Sequence, residues 1–121
     1  TASAEALPVQ SAQAVSERMA ELRRLIDEGH LRTSLLLGWA TFEAIARSAV
    51  TERFARPQTP GRVVEVLATE GLVTPSEADA LRALVRKRNR FVHGELEVEV
   101  AAAEMLQFVD ILEAVRRQPA N

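Results

Sequence analysis

The stretch that decides the fold is LRTSLLLGWATFEAIARSAV, residues 31–50, the most apolar run of the chain. Its apolar residues recur at alternating steps of four and three positions: Leu35, Trp39, Phe42, Ala46 and Ala49. Steps of this size return to the same side of an α-helix at each turn. We therefore predict a long central helix over about residues 30–54, ended by Arg56-Pro57.

Three charged residues, Arg32, Glu43 and Arg47, interrupt this apolar stretch. A membrane span needs about 20 predominantly apolar residues, so we predict no transmembrane segment. The chain has no cysteine, which excludes a disulfide framework, a thiolate metal site and a cysteine nucleophile. We expect a soluble, cytoplasmic protein, and a start at Thr1 is consistent with a fragment of a longer one.

Helix-capping signals and the spacing of apolar residues predict four more helices, at about residues 11–28, 60–71, 75–91 and 100–118. The strongest signal is Thr74-Pro75-Ser76-Glu77, in which Thr74 and Glu77 form a capping box. Residues 95–100 alternate with period two and predict a short extended segment. The sequence thus predicts an all-α, up-down bundle of four to five helices with a short third helix. It would form one domain at 11–121, after a flexible tail or linker at 1–10.

Arg88 occupies an unusual position on the predicted fourth helix. If successive residues lie about 100° apart, five apolar residues fall within about 60° of Arg88: Leu81, Leu84, Val85, Phe91 and Val92. An arginine is rarely buried unless it is paired. Glu43 likewise interrupts the apolar stripe of the central helix. Two arrangements stay open: Glu43 meets Arg88 inside the bundle or at a dimer seam, or it pairs locally with Arg47.

His93 follows Arg88 by five positions, which on an unbroken helix places it about 140° away. We expect the last turn to unwind before Gly94 and to turn His93 back towards Arg88. Asn89 precedes His93 by four positions, so their side chains could touch. The alternative for His93 is a plain role at the helix C-terminus, where a cation is favourable.

The basic residues are locally concentrated, because Arg86, Lys87, Arg88 and Arg90 supply four of the fifteen within five positions. The net charge of −2 gives no overall attraction for nucleic acid, so a polyanion would have to bind this patch. Arg86, Lys87 and Arg90 point away from the apolar stripe. They form either a solvated basic face or a contact surface for a phosphate backbone.

The run Arg88-Asn89-Arg90-Phe91-Val92-His93 resembles the signature of the HEPN superfamily, the helical domains named after higher eukaryotic and prokaryotic nucleotide-binding proteins. In that signature an arginine is followed by a polar residue, often Asn, and by a histidine a few positions later. The stretch at 38–44, GWATFEA, is similar to the central-helix segment of these domains. The resemblance covers about residues 11–118.

The resemblance implies a homodimeric, metal-independent endoribonuclease in a toxin–antitoxin, phage-defence or RNA-processing setting. Arg88, Asn89 and His93 would be catalytic, Glu43 would support the site, and Arg86, Lys87 and Arg90 would bind the RNA backbone. An antitoxin or a fused domain is an implied further partner. Other members are non-catalytic modules that dimerise or bind nucleotide or RNA, and this is our alternative.

We expect neither metal nor cofactor in this chain. His30 and His93 are remote in sequence, and no cluster of Asp, Glu and His has the spacing of metal ligands. A glycine-rich phosphate-binding loop is also missing from the sequence, so we do not expect hydrolysis of a nucleoside triphosphate. A plain helical adaptor is a third possibility, but it would leave the position of Arg88 unexplained.

Overall fold

The structure is a computed structural model that describes residues 6–119, and within that range the chain contains five α-helices and no strand. The helices are α1 Ala12–Asp27, α2 Leu31–Ala49, α3 Pro60–Thr69, α4 Pro75–Val92 and α5 Ala102–Arg116. The predicted all-α bundle with a short third helix is confirmed. Residues 1–5 of the predicted tail lie outside the described part. Residues 6–10 are irregular, and the Leu7 N–H donates to the Ala55 carbonyl at 2.7 Å.

The core is built around α2, which contacts all four other helices. Three aromatic rings form its centre: the Trp39 and Phe42 centroids are 5.2 Å apart, and Phe108 of α5 lies within 5.8 Å of both. Gly38 allows this packing, because a Cβ built there would lie 2.9 Å from Cε2 of Phe108. The glycine therefore sets how closely α2 and α5 approach.

The helix starts follow the local sequence. The Ser11 and Thr59 hydroxyls accept hydrogen bonds from backbone N–H groups in the first turns of α1 and α3. At the start of α4 the Thr74 hydroxyl accepts from the Glu77 N–H at 3.1 Å, and the Glu77 carboxylate accepts from the Thr74 N–H at 2.8 Å. The predicted capping box is confirmed.

The central helix is shorter than predicted, because α2 ends at Ala49 instead of near Phe54. The N–H groups of Arg53 and Phe54 both donate to the Val50 carbonyl, at 3.1 and 3.2 Å, and form a turn. Five more helical residues would carry Phe54 about 7.5 Å further along the axis. The turn instead returns Phe54 to the core, where it is 3% exposed.

The segment between α4 and α5 was predicted to be extended, yet it forms turns and irregular chain within the described range. The rest of residues 6–119 offers no strand to pair with it. The segment is held by a turn, in which the Val98 N–H donates to the Glu95 carbonyl at 3.3 Å, and by a side chain. The Arg32 Nε donates to the Val98 carbonyl at 2.8 Å. Only part of the alternating pattern survives as burial: Val98 and Val100 are buried while Glu97 and Glu99 are exposed, but Leu96 is 66% exposed.

Candidate functional site

Apart from Glu43 on α2, the site residues predicted from the sequence lie on the last two turns of α4 and at its C-cap, where the core contact of this helix ends. The buried residues of α4 stop at Val85. The same stripe continues as Arg88, which is half-buried, and Val92, which is 45% exposed. Arg88 therefore lies at the edge of the core and not inside it. The guanidinium keeps access to solvent, so a buried partner is not required for it.

The Arg88 and Asn89 side chains contact each other directly. Nη1 of Arg88 donates to Oδ1 of Asn89 at 3.0 Å, and both residues are half-buried. This bond uses the amide oxygen of Asn89 and one of the five N–H donors of the guanidinium. The other donors of Arg88 form no hydrogen bond with any residue in the range 6–119. Asn89 therefore orients a cation that retains capacity to bind an anion.

The charges of Arg88 and Arg47 both act on the Glu43 carboxyl. Burial of the Glu43 carboxyl raises its pKa, and the charge of Arg88, followed by that of Arg47, opposes this rise without cancelling it. No direct ion pair joins Glu43 to either arginine, all three being described residues. The Arg47 guanidinium donates to the carbonyls of Phe54 at 3.0 Å and of Pro8 at 3.5 Å. Within the chain neither pairing forms as an ion pair, although the larger electrostatic influence comes from Arg88.

His93 is the C-cap residue of α4, with φ −93° and ψ 13°, and it is exposed. The expected unwinding before Gly94 does not occur. The Gly94 N–H donates to the Phe91 carbonyl and the Glu95 N–H to the Arg90 carbonyl, the two bonds of a Schellman motif. Gly94 supplies the left-handed residue, with φ 103°. The helix thus stays regular up to His93, which remains about 140° around the axis from Arg88.

Asn89 and His93 are linked only through their backbones. The His93 N–H donates to the Asn89 carbonyl at 3.1 Å, but no side-chain hydrogen bond joins the two residues, both of which are described. The fold therefore brings the Arg88 and Asn89 side chains together and leaves His93 on a different part of the surface.

Two of the three cations predicted to bind RNA are paired with carboxylates. Nζ of Lys87 donates to Oε1 of Glu104 at 2.6 Å. Arg90 donates to both carboxylate oxygens of Glu95, with Nε at 3.0 Å from Oε1. Arg86 is exposed and forms no ion pair within the described part of the chain. The basic patch is consequently less positive than the sequence suggests.

The partners of Glu95 and Glu104 lower the pKa of each carboxyl. The hydrogen bond from Arg90 lowers the pKa of Glu95. Burial by itself raises the pKa of Glu104, but hydrogen bonds from the Ala101 N–H and from Lys87 outweigh burial and leave that pKa below its ordinary value. Both groups are therefore ionised at neutral pH and neutralise the α4 cations there.

An open groove of about 380 Å³ lies next to the Lys87–Glu104 pair. Its walls come from the start of α2, the middle of α4 and the approach to α5: Gly29, Leu31, Arg32, Lys87, Glu99, Val100, Ala101 and Glu104. Both signs of charge face this groove. Arg32 also lies 3.5 Å from a carboxylate oxygen of Glu97.

Sequence reasoning missed the roles of Glu95 and Glu104. Glu95 directly follows Gly94, and the Schellman turn reverses the chain so that this carboxylate meets Arg90, one turn back. That contact could have been predicted from the helix-ending glycine. Glu104 meets Lys87 only through the packing of α5 against α4, which no local spacing encodes.

Among residues 6–119 no group of three or more His, Asp or Glu side chains could hold a metal ion. None of the helices in that range is long and apolar enough to cross a bilayer. No family model, curated protein or solved structure matches this chain.

Proposed function

We propose that this chain is a metal-independent endoribonuclease of the HEPN type that acts as a homodimer in the cytoplasm. The observation that carries the proposal is the Arg88–Asn89 pair, a guanidinium oriented by an amide at the solvent-accessible edge of α4. The exposed imidazole of His93 ends the same helix. These three residues are the ones that resemble the HEPN signature.

The side chains suit cleavage by attack of the ribose 2′-hydroxyl. A base takes the 2′-hydroxyl proton, the 2′-oxygen bonds to phosphorus, the bond from phosphorus to the 5′-oxygen breaks, and an acid protonates that oxygen. A histidine can take either role near neutral pH. Arg88 would hold the phosphate and stabilise the charge that develops on its oxygens. The products would carry a 2′,3′-cyclic phosphate and a 5′-hydroxyl.

Dimerisation would complete this site. One subunit has one histidine at α4, whereas the reaction needs an acid and a base, and Arg88 and His93 diverge by about 140°. A two-fold axis near the end of α4 would bring two copies of each residue to one cleft. The apolar face of α2 is buried within the subunit and is not free for this contact, whereas Val92, on the same stripe as Arg88, is 45% exposed and could form it.

The alternative is a non-catalytic module that dimerises or binds nucleotide or RNA. The ion pairs of Lys87 with Glu104 and of Arg90 with Glu95 favour it, because they reduce the positive charge offered to a substrate. For both functions we propose a toxin–antitoxin, phage-defence or RNA-processing setting, with an antitoxin or a fused domain as partner.

The test is incubation of the purified chain with end-labelled RNA in EDTA, next to DNA of the same sequence. We expect RNA fragments that end in a 2′,3′-cyclic phosphate and no cleavage of DNA, because DNA lacks the attacking hydroxyl. RNA fragments with 3′-hydroxyl ends would contradict attack by the 2′-hydroxyl. RNA binding without cleavage would favour the non-catalytic module.

A further inference from the structure

The connection from α4 to α5 and the first turn of α5 supply carboxylates to the cations that flank them. Glu95 pairs with Arg90, Glu97 lies 3.5 Å from Arg32, and Glu104 pairs with Lys87 at 2.6 Å. All three carboxylates come from the ten residues that follow Gly94. The acidic connection therefore lies against the basic part of α4 and against the first turn of α2.

We propose that Glu95 and Glu104 compete with the RNA phosphate backbone for Arg90 and Lys87, so that the closed ion pairs weaken RNA binding to α4. The inference rests on the proposed function, because it concerns how that site is regulated. The Glu104 carboxylate accepts from the ammonium group of Lys87 at 2.6 Å, and its negative charge repels a phosphate that approaches this cation. A phosphate that binds Nε and Nη2 of Arg90 must displace both oxygens of Glu95.

The two carboxylates are unequal competitors. The Arg90 and Glu95 side chains are 57% and 47% exposed, and solvent weakens such a pair. The Lys87 and Glu104 side chains are only 27% and 29% exposed. Glu104 is also held in place because it accepts the Ala101 N–H at 2.9 Å. Glu104 is therefore the stronger competitor, and its removal is expected to have the larger effect.

Glu104→Gln and Glu95→Gln each remove one competing charge with little change in shape. A glutamine can accept the same backbone N–H in a capping box, so Glu104→Gln preserves the start of α5. Glu113→Gln is the matched control. Glu113 pairs with Arg23 at 2.8 Å and with Arg116 at 3.2 Å near the other end of α5, and its loss adds the same unit of charge.

The experiment measures Kd for a fluorescent single-stranded RNA with 2′-O-methyl riboses, which cannot be cleaved by 2′-hydroxyl attack, over a series of salt concentrations. Each freed cation is expected to tighten binding about three- to fivefold at low salt and to steepen the slope of log K against log salt by about 0.7. Glu113→Gln is expected to leave that slope unchanged. Thermal melts of all variants check that the fold is retained.

The outcomes separate this inference from the proposed function. RNA binding by the wild type with the same Kd and slope in Glu95→Gln and Glu104→Gln overturns the competition and leaves the nuclease proposal standing. Equal tightening by Glu113→Gln also overturns it, since net charge alone would then account for the effect. If neither the wild type nor any variant binds RNA, both proposals fail. Tighter binding without cleavage of unmodified RNA supports the competition and contradicts the nuclease.

Discussion

Arg88 and Asn89 are consecutive residues of α4 whose side chains are joined by a hydrogen bond of 3.0 Å. Neighbours on a helix project about 100° apart, so they do not normally face each other. The bond therefore holds the guanidinium along the helix surface, on the Asn89 side. It assigns to Asn89 the positioning of Arg88 and not of His93.

Asn89→Ala is expected to lower the rate of the proposed RNA cleavage about tenfold, because the guanidinium loses the acceptor that orients it. Glutamine at the same position keeps an amide on a longer stem and should retain more activity than alanine. The measurement is kcat and KM for a labelled RNA. A change confined to KM would assign Asn89 to RNA binding instead of positioning.

The influence of Arg88 on Glu43 predicts energetic coupling between them. Arg88→Met removes the larger of the two charges that favour the ionised Glu43, and Glu43→Gln removes the group that benefits. We expect the double variant to be more stable than the sum of the single changes implies, by about 0.5 kcal/mol, since solvent screens partly exposed charges. Urea denaturation of all four proteins measures this coupling. Strictly additive changes would mean that the two charges do not interact.

The raised pKa of Glu43 predicts a pH-dependent gain of stability in Glu43→Gln. Below a pH of about 4.5, the pKa of this carboxyl in the unfolded chain, the carboxyl is protonated in both the folded and the unfolded state. Its burial then does not lower the stability of the wild type relative to Glu43→Gln. As the pH rises from there through the higher folded value, the folded state binds more protons than the unfolded state, and the wild type loses stability. Glu43→Gln should therefore match the wild type at low pH and exceed it slightly at pH 7. Urea denaturation at both pH values checks this. A Glu43→Gln variant that is less stable than the wild type at pH 7 would contradict the prediction.

Gly38 and Gly61 offer a matched pair of stability tests. A methyl group at Gly38 would meet the Phe108 ring at 2.9 Å, so Gly38→Ala should destabilise the protein by about 1–3 kcal/mol. Nothing lies within 4 Å of a Cβ at Gly61, and Gly61→Ala should stabilise the fold by about 0.4–1 kcal/mol. Chemical denaturation measures both. A neutral Gly38→Ala would show that α2 and α5 are not closely packed at this point.

The helices were predictable because their signals are local. The spacing of Leu35, Trp39 and Phe42 and the capping box at Thr74 act within one or two turns. The end of α2 was not predictable, because Phe54 is returned to the core by a turn whose benefit lies in tertiary packing. Apolar spacing and capping signals therefore predict where a helix lies better than they predict its last residues.

The candidate site was likewise predictable only where local spacing determines it. The stripe of α4 that includes Arg88 follows from helical spacing, and the structure places Arg88 at the end of the buried stripe. The direction of His93 depends on how Gly94 ends the helix, and a regular Schellman turn keeps it apart from Arg88. The pairing of Lys87 with Glu104 depends on the packing of two helices.

Comparison of His93→Ala with His30→Ala in the EDTA cleavage assay tests the proposed activity most directly. His30 is the other histidine of the chain, exposed at the start of α2, and serves as the control. Loss of a general acid or base costs about a hundredfold or more in rate, so His93→Ala should lose cleavage to that extent while His30→Ala keeps the wild-type rate. Equal cleavage by the wild type and both variants would contradict the account and point to a contaminating nuclease.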